Sequence, residues 1–229
     1  MVIGKGLVGK AFEQKYLDDD DFLIFASGVS NSKSATEKDF LRERELLEGS
    51  IKKNPSKKLV YFSTCSIEDA DLANSSYSKH KLAMEALIKT NAKKHFIFRL
   101  SNLAGITNNQ NTVLNFFYWH IRNNLPFQVW ENSERNIIDI KDVYTTCNYI
   151  LQNNLFANQI INIANPKNYS VTYIVQSLEF FCEKKANFTA IIKGSKLSIN
   201  ISFVEPIFKL LNIEFPNDYL LQLLKKYYL

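Results

Sequence analysis

Tyr77 and Lys81 stand four residues apart in Ser76-Tyr77-Ser78-Lys79-His80-Lys81. On a helix that spacing puts both side chains on one face. An ammonium beside a phenol favours the phenolate by charge, so the pair suits proton transfer during the interconversion of an alcohol and a ketone. Tyr-x-x-x-Lys is common by chance, and alone it more often describes a surface tyrosine beside a solvated lysine. The preceding segment is what raises it. Leu59-Val60-Tyr61-Phe62 is an apolar run that ends in Ser63-Thr64-Cys65-Ser66. Hydroxyls at the C-terminal end of a parallel strand lie in the crevice where open α/β sheets take their ligands. A hydroxyl there can hold a substrate oxygen beside Tyr77.

A second constellation lies near the start of the chain. Gly4-Lys5-Gly6-Leu7-Val8-Gly9 fits G-x-G-x-x-G. In such a turn the first glycine permits the tight bend, the second lets the backbone approach a pyrophosphate, and the third lets helix and strand pack closely. The helix that follows offers free N–H groups and the positive end of its dipole to the phosphates. Gly4, Gly6, Leu7, Val8 and Gly9 are therefore expected to hold a dinucleotide. One usual part is missing. An acidic residue about 20 positions on normally binds the adenosine ribose. Here the next strand ends in Ala26-Ser27-Gly28, and Asp18 to Asp21 precede that strand.

These groups need a scaffold, and the hydrophobic pattern supplies one. Val2-Ile3 end a first strand, and 7–17 reads as a helix. Phe22 to Ala26 and Lys58 to Phe62 are short continuous apolar runs, as expected of strands buried on both faces. Residues 27–35 read as a polar loop. A helix is expected over 37–53, with Thr36 and Asp39 at capping-box spacing, and another over 75–92, before a strand at Phe96 to Leu100. Strand and helix alternate, which predicts an α/β fold with a parallel sheet and crossover helices. Beyond about residue 105 the pattern changes. Helices are expected over 112–122, 142–151, 170–183, 204–211 and 219–228, with extended pieces at 137–140 and 160–164. The expected organisation is one compact unit, with a core over 1–110 and a smaller substrate lobe over 111–229 interleaved with returns to the sheet.

Composition sets bounds. The 229 residues are 46% hydrophobic, an ordinary globular value. No apolar run approaches the roughly 18 residues of a membrane span. The chain runs straight into Val2-Ile3-Gly4 with no signal-peptide pattern, so a cytoplasmic protein is expected. Three scattered cysteines and three histidines form neither a disulfide framework nor a zinc pattern, and no metal is expected. The net charge of +5 comes from small lysine groups at helix ends rather than one basic stripe with interleaved aromatics. Nucleic acid is accordingly not an expected partner, whereas an anionic nucleotide-linked substrate is compatible with a basic surface.

Taken in order, seven pieces resemble the extended short-chain dehydrogenase/reductase family, the NAD-dependent epimerases and dehydratases of nucleotide sugars. They are the glycine turn; Phe25-Ala26-Ser27-Gly28; Val60-Tyr61-Phe62-Ser63-Thr64; Tyr77-x-x-x-Lys81; Phe98-Arg99-Leu100-Ser101-Asn102 with Gly105; Arg135 to Val143; and Ile161-Asn162-Ile163-Ala164. The resemblance covers roughly residues 1–180. It implies a Rossmann-like sheet, abbreviated, with a small C-terminal substrate lobe, and NAD or NADP as cofactor. By position it makes Thr64 the substrate-facing hydroxyl, with Ser63 or Ser66 as runners-up, and Tyr77 the acid/base. It places Lys81 on the nicotinamide ribose and Ala26, Ser27, Gly28 and Ser63 along the cofactor. Ser66, Asn102 and Arg135 fall toward the substrate, Arg135 near its diphosphate. Asp142 is expected as a helix cap.

The departures are equally specific. The strand at 22–26 aligns with the family's fourth strand, so the second and third, which normally hold adenosine, are missing. The stretch from Thr64 to Tyr77 is short. Cys65 stands where dehydratases often carry an acid, which weakens a dehydratase reading. Nothing after about residue 185 matches. The resemblance implies an NAD(P)-dependent reductase or epimerase of a nucleotide-activated sugar, serving surface-polysaccharide (O-antigen or capsule) synthesis. The alternative is a degenerate, non-catalytic member that binds a nucleotide sugar or a partner enzyme. In the family the helices matching 37–53 and 75–92 often pair across a dimer, so a homodimer is expected.

Overall fold

The computed structural model describes residues 1–29 and 35–228. The expected polar loop at 27–35 falls largely outside the described residues. The first half runs β1 (Val2–Ile3), α1 (Leu7–Tyr16), β2 (Phe22–Phe25), α2 (Glu37–Lys53), β3 (Lys58–Thr64), a 3-10 turn (Cys65–Ile67), α3 (Ser76–Asn91), β4 (His95–Leu100) and β5 (Asn102–Ala104). The second half runs α4 (Val113–Arg122), β6 (Phe127–Trp130), β7 (Glu134–Asp139), α5 (Ile140–Gln152), β8 (Ile160–Ile163), β9 (Asn168–Ser170), α6 (Val171–Cys182), β10 (Phe188–Ile191), α7 (Glu205–Leu210) and α8 (Tyr219–Tyr228).

The main sheet has five strands in the order β1-β2-β3-β4-β8, every pairing parallel. Its strands are apolar throughout because both faces are covered. Phe22, Ile24, Val60, Phe62, Phe96 and Phe98 point into one core with Phe12 and Tyr16 of α1 and Val143, Cys147 and Ile150 of α5. Leu23, Phe25, Leu59, Tyr61 and Ile97 alternate into the opposite core with Leu47 of α2 and Met84 and Ile88 of α3. This two-residue alternation makes a three-layer sandwich. A third core, from Leu114, Phe117, Phe127, Ile137, Ile174 and Leu224 among others, builds a second lobe. The chain crosses from the lobe back to the sheet at β8, so the two parts are interleaved.

Strand order bears out the abbreviation. In a doubly wound sheet of order 3-2-1-4-5-6 the first strand lies in the middle. Here β1 is the edge, and among the described residues no strand pairs on its outer side. β2 occupies the place of strand four, with Val2 facing Ile24.

The capping box of α2 is present, the Thr36 hydroxyl accepting from the Asp39 N–H while the Asp39 carboxylate accepts from the Thr36 N–H. The expectation for Asp142 needs correction. Asp139 is the N-cap of α5, accepting from the Lys141 N–H at 2.8 Å. Asp142 lies inside the first turn and accepts from the Tyr219 hydroxyl at 2.6 Å. β3 also extends two residues beyond the apolar run, because its ladder with β4 continues through Ser63↔Arg99 and Thr64↔Leu100. That extension carries the hydroxyls to the end of the strand.

Candidate active site

A cleft of about 970 Å³ opens at the C-terminal ends of the strands, between the sheet and the lobe. Every candidate residue named from the sequence lines it except Gly9. The glycine turn and the end of β2 form one side, the end of β3 and the first turns of α3 the floor. Asn102 and Arg135 come from the lobe side.

The three glycines of the turn differ in the way a dinucleotide turn requires. Gly4 has φ +120°, and a Cβ there would sit 2.3 Å from the Ala26 carbonyl oxygen. A Cβ on Gly9 would meet the Gly4 carbonyl oxygen at 2.2 Å, so this residue sets how closely α1 packs on the turn and lies beneath the cleft. A Cβ on Gly6 would meet nothing within 4 Å. Gly6 is the N-cap of α1 and offers no side-chain cap, which leaves the helix N–H groups open toward the cleft. These residues fit the pyrophosphate of a dinucleotide. At the adenosine end, no strand lies beyond β1 among the described residues. What lies beside the turn is Arg42 of α2, which donates to the Ser27 hydroxyl at 3.2 Å and carbonyl at 3.1 Å.

At the other end, Tyr77 stands on the second position of α3, just past the Ser75 cap. The Thr64 hydroxyl accepts the Ser66 N–H at 3.1 Å and keeps its own proton for another acceptor. The Ser63 side chain turns to the opposite face of the sheet and donates to Glu85 at 2.6 Å. Glu85 also receives Arg99 in a two-pronged pair at 2.9 and 2.7 Å.

Lys81 is buried, and it is not free. Its Nζ donates to Glu43 Oε1 at 2.9 Å and to the Tyr61 hydroxyl at 3.0 Å, and it lies 5.8 Å from the centroid of the Tyr77 ring. Gly28 is needed here for space, since a Cβ would come within 2.6 Å of Nζ. Glu43 is fully buried. It accepts from Tyr61 at 2.6 Å and from the Val29 N–H at 2.6 Å. His80 Nε2 lies 3.1 Å from its other oxygen without completing an aligned hydrogen bond. Burial alone would raise the Glu43 carboxyl, but the contact of His80 and the charge and hydrogen bonds of Lys81 and Tyr61 outweigh it and hold the group well below the usual range. Burial, reinforced by Glu43, pushes the Tyr61 phenol well up. The sequence reading missed Glu43. The available signal was its place on the inward stripe of α2, one turn before Leu47 and two before Ser50.

On the lobe side of the cleft, Asn102 Nδ2 donates to the Asn136 carbonyl at 2.8 Å. Arg135 donates to the Glu134 carbonyl at 2.7 Å and stands 3.5 Å from the buried Asp69 carboxylate. Cys65 is buried with its thiol turned to the Arg99 carbonyl, and burial pushes that thiol far up, so it is no nucleophile. Among the described residues no cluster of His, Cys, Asp or Glu could hold a metal ion, and no helix is long and apolar enough to cross a membrane.

A glycine turn under an open helix end, with the helix of Tyr77 and Lys81 across the same cleft at the C-terminal ends of a parallel sheet, is the construction of a Rossmann-like fold. The chain belongs to the NAD dependent epimerase/dehydratase family, whose model matches residues 24–164. That match begins within β2, after the glycine turn. No curated protein sequence matches the chain. Solved structures with the same fold include MoeE5 in complex with UDP-glucose and NAD, at 15% identity and TM-score 0.70, covering 89% of this chain and 76% of that one. The UDP-N-acetylglucosamine 4-epimerase of Bacillus cereus matches at 14% identity and TM-score 0.67, over 96% of this chain and 92% of that one. The Bordetella bronchiseptica enzyme WbmG, in complex with NAD and UDP, matches at 16% identity and TM-score 0.65, over 99% and 79%.

Proposed function

We propose that the chain is an NAD(P)-dependent reductase or epimerase of a nucleotide-activated sugar. The observation that carries this reading is the shared cleft: the phosphate-type glycine turn and Thr64, Tyr77 and Lys81 line one continuous space. Family membership supports it, as do structural neighbours in complex with NAD and UDP-glucose or UDP. Gly4, Gly6 and the first turn of α1 would hold the pyrophosphate of the cofactor. A nicotinamide held in this cleft would supply exchange of hydride with a sugar carbon. The protein's own residues do the rest. Thr64 donates to the sugar oxygen and orients it. Tyr77 gives or takes the hydroxyl proton. Lys81, anchored by Glu43 and Tyr61, presents its remaining donor direction to the cleft. Arg135 and Asn102, which line the same cleft, would meet the diphosphate.

The pathway would be surface-polysaccharide assembly, which consumes nucleotide-activated sugars, in the cytoplasm. A homodimer through α2 and α3 is supported by Leu41, Leu46 and Leu82, which these helices leave exposed. The test is Tyr77→Phe, assayed for turnover and titrated calorimetrically with NAD(H) and NADP(H). Turnover should fall by about a hundredfold or more, with dinucleotide affinity nearly unchanged. Full turnover in the variant ends the role of Tyr77. A wild-type protein that binds neither dinucleotide ends the enzyme reading in favour of a non-catalytic one.

A further inference from the structure

Glu43 is on a different helix from the Tyr-x-x-x-Lys motif, and the chemistry above makes no direct use of it. A lone carboxylate in such a place would be costly. Its surroundings are built for it: the Val29 N–H after β2, the Tyr61 hydroxyl on β3, and His80 and Lys81 on α3 all face it. Lys81 spends two of its three donors on Glu43 and Tyr61. Of the other charges nearby, Glu85 on α3 is paired with Arg99 of β4, and Arg42 of α2 turns to neutral acceptors, the Ser27 hydroxyl and carbonyl. Among the described residues Glu43 is the carboxylate in contact with Lys81.

We propose that Glu43 is the positioning residue of the Tyr77–Lys81 pair: it fixes the Lys81 ammonium and offsets the positive charge that Tyr77 meets. This rests on Tyr77 being the acid/base. The offset has a direction. A neighbouring anion disfavours phenolate and a neighbouring cation favours it. Glu43→Gln keeps the shape and an acceptor oxygen for Lys81 but removes the anion, leaving the ammonium uncompensated before Tyr77.

The experiment is an alkaline absorbance titration of tyrosinate, taking the transition that Tyr77→Phe abolishes as the signal of Tyr77. In Glu43→Gln that transition should move to lower pH by about one pH unit. Glu43→Asp keeps the charge and should titrate as wild type, a rescue that a purely packing role does not predict. An unmoved transition in folded Glu43→Gln overturns the proposal. If Glu43→Gln does not fold, Glu43→Asp decides: a downward shift there shows that charge is not what Glu43 contributes, and a wild-type transition supports it. No cofactor or sugar enters the cuvette, so failure of the protein to bind NAD(P) would remove the proposed activity and leave this result separately readable.

Discussion

The glycine turn offers a contrast that ordinary turn glycines would not show. In Gly9→Ala the new methyl would lie 2.2 Å from a backbone oxygen and 2.8 Å from a backbone carbon of Gly4. That is about 1.2 Å (3.4 less 2.2) short of ordinary contact, and neither atom is the end of a flexible side chain. Helix and turn must separate. Overpacking of this kind costs roughly 1–3 kcal/mol, and the backbone obstruction argues for the upper end. With a urea m-value of about 2 kcal/mol/M, the unfolding midpoint should fall by about 1.5 M. Gly6→Ala meets nothing within 4 Å, and the extended backbone of Gly6, φ −75°, suits any residue. Its midpoint should stay within about 0.5 M of wild type, since the cap change is worth at most about 1 kcal/mol. Binding should show the reverse sensitivity. A methyl on Gly6 occupies the space a phosphate must enter, and losing one charge-assisted N–H bond of roughly 1.5–3 kcal/mol weakens a dinucleotide about tenfold to a hundredfold. Urea unfolding and calorimetric titration of both variants test this together. Wild-type dinucleotide affinity in Gly6→Ala would refute the phosphate cradle, and a fully stable Gly9→Ala would refute the packing argument.

Three further outcomes follow from the charged groups. Glu85→Ala strands Arg99 in a part-buried site and should cost about 3 kcal/mol in urea unfolding; a loss under about 1 kcal/mol would show that the pair is not holding α3 to the sheet. Asp69→Asn releases Arg135 from a competing carboxylate 3.5 Å away. Calorimetry should then show UDP binding about two- to fivefold tighter, the equivalent of an ion pair worth ~0.5–1 kcal/mol, and weaker binding would place Arg135 elsewhere. The folded value of Glu43 lies below its unfolded value because its hydrogen bonds and Lys81 outweigh burial. Its stabilisation is therefore present above the unfolded value and is lost as pH falls through and below it. Between about pH 5 and pH 3 wild-type stability should decline more steeply than that of Glu43→Gln, and parallel slopes would contradict the assignment.

Legibility of the fold followed the strength of the local pattern. The strands of the main sheet declared themselves because Phe22–Phe25 and Lys58–Phe62 are apolar on both faces, and α2 because Thr36 and Asp39 cap it. β5, β6, β9 and β10 were not read from the sequence. They are three or four residues long, too short to show a period. β10 is largely exposed, and its Phe188–Ile191 is held by pairing with Phe127–Trp130, about sixty residues away. The site divides in the same way. Gly4, Thr64, Tyr77 and Lys81 belong to motifs with fixed spacing and could be found in one dimension. Glu43 belongs to no motif, since what makes it matter is α2 laying it against β3 and α3. The cap of α5 was misplaced by three residues because Asp139 and Asp142 are both plausible from composition, and only the end of β7 decides between them.

The abbreviated sheet also bears on why α3 is tied down twice. Tyr77, Lys81 and Glu85 follow one another at successive turns, so they share a face. Lys81 clamps that face to α2 and β3 through Glu43 and Tyr61. One turn on, Glu85 clamps it to β3 and β4 through Ser63 and Arg99. A reacting group tolerates displacement of only about half an ångström before its geometry fails. With β1 left as an edge, the glycine turn across the cleft from Tyr77 has, among the described residues, no flank of outer strands to stiffen it. The buried pairs put rigidity one and two turns from Tyr77, the residue to which the proposed function gives the proton transfer. The two ends of the cleft should thus respond differently to change. Substitutions beside Ser27 and Arg42 should alter dinucleotide affinity, and substitutions at Glu43 or Glu85 should alter stability and the behaviour of Tyr77.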